Sequence, residues 1–171
     1  MRNRVLVAYA SKRGSTAEIA EQAAHVLAAT GADVRVCDVR DVTSVADYDA
    51  VVLGTAIRMG RPLDEMSVFL RHHGHHVAQR PSVVFGVGAA LRERTPAAYR
   101  ATARSVAPLV DAVSPLFVGL FGGKLDPDSF HWPWPAVAAR VGLGKHLSPG
   151  DWRDWDEIDR WFAAVAPRLL D

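Results

Sequence analysis

The chain of 171 residues, 49% of them apolar, is long enough to bury a full core and short enough to suggest one domain. Its 20 Lys and Arg and 19 Asp and Glu are well mixed and leave a net charge of +1, which argues against a nucleic-acid footprint and against a strongly acidic docking surface. The single Cys37 excludes a disulfide framework and a cysteine-based metal centre and points to the cytoplasm, and no apolar run of about 18 residues exists to span a bilayer.

Val5 to Tyr9 is apolar and rich in β-formers, as a buried parallel strand should be, and it begins so early that no signal peptide fits before it. Ser11, Lys12, Arg13, Gly14, Ser15 and Thr16 follow, and then apolar residues recur at helical spacing to about Ala29. Strand, small polar loop and helix in this order build an anion site. Loop amides and the open N–H groups of the first helical turn converge there, and the helix dipole favours negative charge by about 0.3–1 kcal/mol. Three hydroxyls suit phosphate oxygens and Gly14 admits close approach; the plainer alternative is that Ser15 or Thr16 only caps the helix.

Gly31 reads as a helix stop, and Val34, Val36 and Val39 mark a second strand. Ala50 to Leu53 form a third, ending at Gly54-Thr55 and followed by a loop through Arg61. Pro62 opens a helix with Leu63, Met66, Phe69 and Leu70 on one side and fraying at Gly74. The histidines at 72, 73, 75 and 76 invite a metal reading, but no nearby carboxylate or Cys supports it, and a solvated helix end explains them better. Ser82 to Val87 is a fourth strand running into the loop Gly88 to Arg92. Thr95-Pro96 starts a helix limited by Pro108, Leu116 to Phe121 is a fifth strand, and a last helix from Asp154 sets Trp155, Ile158, Phe162, Val165 and Leu169 on one face.

These elements predict an α/β fold: a doubly wound, five-stranded parallel sheet with helices on both faces, in the flavodoxin-like order 2-1-3-4-5. Its ligand crevice lies where the loops after strands one, three and four meet. A P-loop requires Gly-Lys-Ser/Thr where this chain has Arg13-Gly14-Ser15, and a dinucleotide fold requires its glycine triad after the first strand rather than at Gly86 and Gly88.

Four stretches now carry a resemblance: Val7 to Thr16; Gly54 to Gly60; Phe121-Gly122-Gly123-Lys124-Leu125; and Asp151-Trp152-Arg153-Asp154-Trp155. Together they resemble the flavodoxin-domain proteins of the menaquinone-dependent protoporphyrinogen oxidase type. The resemblance implies FMN, with its phosphate at Ser11, Lys12, Arg13, Gly14, Ser15 and Thr16. It implies an isoalloxazine ring against Thr55, Ala56, Ile57, Arg58, Met59 and Gly60 and against Gly86, Val87, Gly88, Ala89 and Leu91. The activity implied is a two-electron oxidation of protoporphyrinogen IX, or a related small-molecule donor, with electrons passed to a quinone or a protein acceptor. The flavin carries that chemistry, and no side chain is assigned as catalytic.

Neither ring-flanking loop contains an aromatic residue, which sets the chain apart from acidic electron-carrier flavodoxins. An FMN shuttle and a cofactor-free interaction module on the same fold are the alternatives. The segment from about 122 to 149 reads as an insertion within the one domain. Its Phe130 to Trp134 stretch either packs over the sheet edge, covers a flat substrate, or makes peripheral membrane contact.

Overall fold

The structure, a computed structural model, describes residues 3–126 and 149–171. The Phe130 to Trp134 stretch and most of the expected insertion lie outside the described residues. Five parallel strands form the sheet: β1 (Arg4–Ala10), β2 (Asp33–Asp38), β3 (Ala50–Arg58), β5 (Ser82–Gly88) and β6 (Phe117–Gly122), in the order β2-β1-β3-β5-β6. A two-residue strand β4 (Arg61–Pro62) folds back antiparallel on β3, so the parallel strands alone keep the expected 2-1-3-4-5 order. A separate ribbon joins β7 (Lys124–Leu125) to β8 (Gly150–Asp151).

Four helices cover the sheet among the described residues: α1 (Ser15–Ala29), α2 (Asp64–Ala78), α3 (Pro96–Val113) and α4 (Trp155–Leu170). Because side chains alternate along a strand, the buried strands feed two apolar layers. Val5, Val7, Val52, Val83 and Phe85 pack with Ile19 and Leu27 of α1 and Ile158 and Phe162 of α4. Leu6, Ala8, Val51, Leu53 and Val84 pack with Met66 and Phe69 of α2 and Leu109 and Val113 of α3. Phe85, Phe121 and Phe162 meet ring to ring at 5.6–6.1 Å in the first layer. Trp155, expected on the apolar face of α4, is instead 37% exposed at the helix start.

Several boundaries differ from expectation, each for a physical reason. The third strand does not end at Thr55. Met59 (φ 50°) and Gly60 (φ 74°) both adopt left-handed backbone, which makes a two-residue turn matching the sheet twist, so Arg58 pairs with Arg61 and Ile57 with Pro62. A left-handed non-glycine residue costs about 1–2 kcal/mol, and Met59 carries that cost while 94% exposed. Pro62 therefore sits in a short edge strand, which needs no N–H from it, and the helix starts two residues later at Asp64.

Helix α2 runs through Gly74 to Ala78, because burying Val77 completely is worth more than the roughly 1 kcal/mol that an internal Gly costs. Its histidines lie along this helix, the ring of His72 bonding the Val68 carbonyl and that of His75 bonding Gln79. Among the described residues, no group of three or more His, Cys, Asp or Glu is placed to hold a metal ion. Helix α3 likewise continues past Pro108 for five residues, held by buried Leu109 and Val113 and closed by left-handed Ser114, whose N–H donates to the Val110 carbonyl. Val39 belongs to a 3-10 turn rather than to β2. Among the described residues no helix is long and apolar enough to cross a membrane.

Candidate functional site

The carboxyl ends of β1, β3 and β5 lie side by side, Ala10 paired with Thr55 and Thr55 with Gly86, so the three loops expected to converge do converge. The first loop turns at Gly14, whose φ of 86° is open to glycine and whose N–H donates to the Ser11 hydroxyl at 3.1 Å. Gly14 is also the N-cap of α1, and it has no side chain with which to cap the first-turn amides. Ser15 and Thr16 are inside the helix, so the capping alternative does not describe this loop.

Thr16 is fully buried, and its Oγ1 has no hydrogen-bond partner. A buried hydroxyl without a partner costs about 1–3 kcal/mol, and native structures rarely leave one without reason. An orphaned hydroxyl, uncapped amides and a left-handed glycine at one helix start together fit a phosphate group. Lys12 reaches Glu65 of α2 at 3.7 Å across the loop. Burial, and then the neighbouring charge of Arg58, push the Arg13 guanidinium below its ordinary range, so Arg13 and Arg58 face one region although they arise from different loops.

The expected ring-flanking residues separate into three groups. Thr55, Gly86, Val87, Gly88 and Leu91 are buried, Ala56 and Ile57 are half-buried, and Arg58, Met59, Gly60 and Ala89 are exposed. The Thr55 hydroxyl is already engaged, donating to the Ala56 carbonyl at 3.1 Å and accepting from the Leu63 N–H at 3.4 Å, so it fixes the β3–β4 hairpin to the start of α2. Ile57 lies over Gly86 and Gly88: a Cβ on either glycine would sit 3.6 Å from it. Leu91 anchors the 3-10 turn Ala89–Glu93 that follows β5.

A fourth segment reaches the crevice that residue patterns did not assign. Gly123, after β6, lies so close that a Cβ there would stand 3.7 Å from the Ser15 hydroxyl and 3.9 Å from the Ala89 amide. Its carbonyl accepts from the Trp152 N–H at 3.0 Å, which ties in the residues leading to α4. Arg153 completes the tie. Its side chain is 5% exposed, pairs with Asp151 of the same segment and with Glu18 of α1, and stacks on Trp155 at 4.7 Å. The adjacent glycines 122 and 123 and the Asp151 to Trp155 motif were the available signal, but nothing in their spacing says that they meet.

Arg153 holds the Asp151 carboxyl below the usual carboxylate range, chiefly through their hydrogen bond. The Glu157 N–H, and then Arg94, lower Asp154 in the same direction. Both groups resist protonation in the folded protein, so their stabilising effect is present above the ordinary Asp value of 3.8 and is lost as pH falls through their lowered values. In an NMR titration of side-chain carboxyl carbons, both should titrate below 3.8, and Arg153→Gln should move Asp151 upward while leaving Asp154 in place. An Asp151 midpoint unmoved by that substitution would contradict the pairing.

A flavodoxin domain sequence model matches residues 6–133, three quarters of the chain. A search of curated proteins returns no match. Among solved structures, oxidised Flavodoxin 2 from Bacillus cereus superposes with a TM-score of 0.63 at 20% identity, covering 96% of this chain and 99% of that one. A flavodoxin from Pseudomonas aeruginosa gives 0.60 at 15% identity over 98% and 99%. A flavo-di-iron protein from Thermotoga maritima gives 0.63 at 15% identity, over 100% of this chain and 37% of that longer one. These likenesses establish the fold, the family match covers the strands and loops that build the crevice, and the chain belongs to the flavodoxin domain family, with FMN as its cofactor.

Proposed function

We propose that Ser11, Lys12, Arg13, Gly14, Ser15 and Thr16 cradle the FMN phosphate and that the ring lies between the β3–β4 hairpin and the end of β5. The observation that carries this reading is the buried Thr16 hydroxyl with no partner at the uncapped start of α1. Thr16 would donate to a phosphate oxygen, the first-turn amides would add further donors, and Lys12 and Arg13 would balance its charge. Thr55 would act on the ring only indirectly, by holding the hairpin. When bound, FMN supplies two-electron redox chemistry that no side chain here provides.

For the reaction, we propose oxidation of a protoporphyrinogen IX-like donor with a quinone or similar acceptor. Its support is the sequence resemblance, together with the placing of Arg58 beside Arg13, where guanidinium groups suit the carboxylates of such a donor. The hairpin supports a second reading, an FMN shuttle serving a protein partner, because its tip is exposed.

Thr16→Val, which keeps side-chain volume and removes only the hydroxyl, should weaken FMN by about 1.5–3 kcal/mol, the range for a hydrogen bond to a charged group. Riboflavin, lacking the phosphate, should bind both proteins alike in fluorescence titrations. Equal losses for the two ligands would mean that the phosphate sits elsewhere. The FMN-loaded protein is then assayed with protoporphyrinogen and a quinone. Turnover supports the oxidase, and its absence alongside rapid exchange with electron-transfer proteins supports the shuttle.

A further inference from the structure

We infer that the β3–β4 hairpin, Arg58 to Arg61, is a docking tip for an acidic redox protein. Met59 occupies the first central position of a two-residue turn, where Asn, Asp or Gly fit the left-handed backbone best. It is also 94% exposed, so burial does not offset the unfavourable backbone. A flexible apolar side chain held out in solvent at a strained position gains nothing within the monomer, whereas it is well suited to burial against a partner.

Charge indicates which partner. Arg58 and Arg61 are paired residues of the hairpin, and among the described residues neither side chain makes an ion pair or hydrogen bond. Arg58 also acts on Arg13, so positive charge continues from the hairpin to the phosphate loop. The chain as a whole carries only +1, which makes this rim a local feature rather than part of a general basic surface. An apolar tip flanked by two unpaired guanidinium groups complements a surface with an apolar centre and a ring of carboxylates. A small anionic donor would use the charges but not the outward-pointing methionine.

The inference rests on the reading that the adjacent crevice holds FMN, and its test separates the two. The FMN-loaded protein, reduced with dithionite, is mixed with a c-type cytochrome in its native basic form or in a succinylated, acidic form. Two ferric haems are reduced per two-electron-reduced holoprotein, and the released protons pass to buffer. The acidic form should react at least about tenfold faster at low salt, and the advantage should shrink as the Debye length falls. Arg61→Glu should remove most of that advantage. Met59→Asn should raise the Tm by about 2 °C, relieving the turn, yet slow reduction of the acidic cytochrome several-fold more than that of the basic one, both rates taken per FMN-loaded protein.

Equal rates for the two cytochromes in a protein that binds FMN would overturn the docking inference alone. So would an Arg61→Glu effect confined to ferricyanide, which would make the hairpin a small-anion site. A Met59→Asn protein that loses FMN affinity but keeps its rate per holoprotein would make Met59 a flavin contact, and would also overturn it. Failure of wild type to take up FMN overturns the cofactor reading, and the docking inference with it.

Discussion

Gly54→Ala should destabilise the protein by about 3 kcal/mol, at the upper end of what overpacking costs. The Cβ would stand 2.5 Å from Cε1 and 2.7 Å from Cε2 of Phe85, and closer still to its Cζ. Phe85 is opposite Gly54 in the adjacent strand, fully buried, and it packs edge-on against Phe162 with centroids 5.6 Å apart. The ring therefore has no vacant space to swing into. Urea denaturation of Gly54→Ala, Phe85→Leu and the double variant tests this directly. The smaller Leu should restore room, so the double variant should be more stable than the sum of the two losses predicts by 1 kcal/mol or more, as expected for residues in contact (about 0.5–3 kcal/mol). Strict additivity would show that the clash is relieved some other way.

The second large effect is expected at Gly122. A Cβ there would lie 2.9 Å from the Trp152 carbonyl carbon and closer to its oxygen, which is main chain and cannot rotate aside. Gly122→Ala should therefore push the segment from Gly150 to Asp154 off the sheet end. The hydrogen bond from Trp152 to Gly123, the β7–β8 ribbon and the Arg153 pairs with Glu18 and Asp151 would all be disturbed. A loss of about 2–3 kcal/mol in stability is expected from breaking several such contacts at once. Because Gly123 lies against Ser15 and Ala89, FMN affinity should fall by about tenfold as well. Gly119→Ala is the natural comparison. The atoms nearest its Cβ are side-chain atoms of Phe121 and Trp161 at 3.0 Å, so it should cost less stability and leave FMN binding intact. A Gly122→Ala protein that binds FMN like wild type would show that this segment is not part of the crevice.

How much of this could be read from residues alone depended on whether the signal was local. The apolar runs at 5–8, 50–53 and 83–85 are buried on both faces, and such runs announce parallel strands without any knowledge of their neighbours. Ser11 to Thr16 announced itself in the same way, since strand, polar loop and helix are contiguous. The breakers were misleading. Gly74 and Pro108 each carry a local penalty that reads as a helix end, but Val77 on one helix and Leu109 and Val113 on the other recover more by burial than the breakers cost. The hairpin was hidden because Met59 is a poor residue for its backbone, so turn chemistry gave no warning. The Arg153 clamp was hidden for another reason: Glu18 is 135 residues away, and no spacing rule reaches that far.

The two apolar layers have a consequence for how the protein responds to its ligand. The loop Ser11 to Thr16 is rooted, through α1, in the layer shared with α4, whereas the hairpin is rooted, through Leu63 and α2, in the layer shared with α3. The strands form the wall between them. A molecule seated at the strand ends and touching both loops acts as a staple across that wall, so its binding free energy is shared by two otherwise separate packing units. Amide exchange in the empty protein should then show two populations of opening events, one per layer. Adding FMN should merge them into one slower population, making the cofactor the element that turns two half-domains into a single cooperative body.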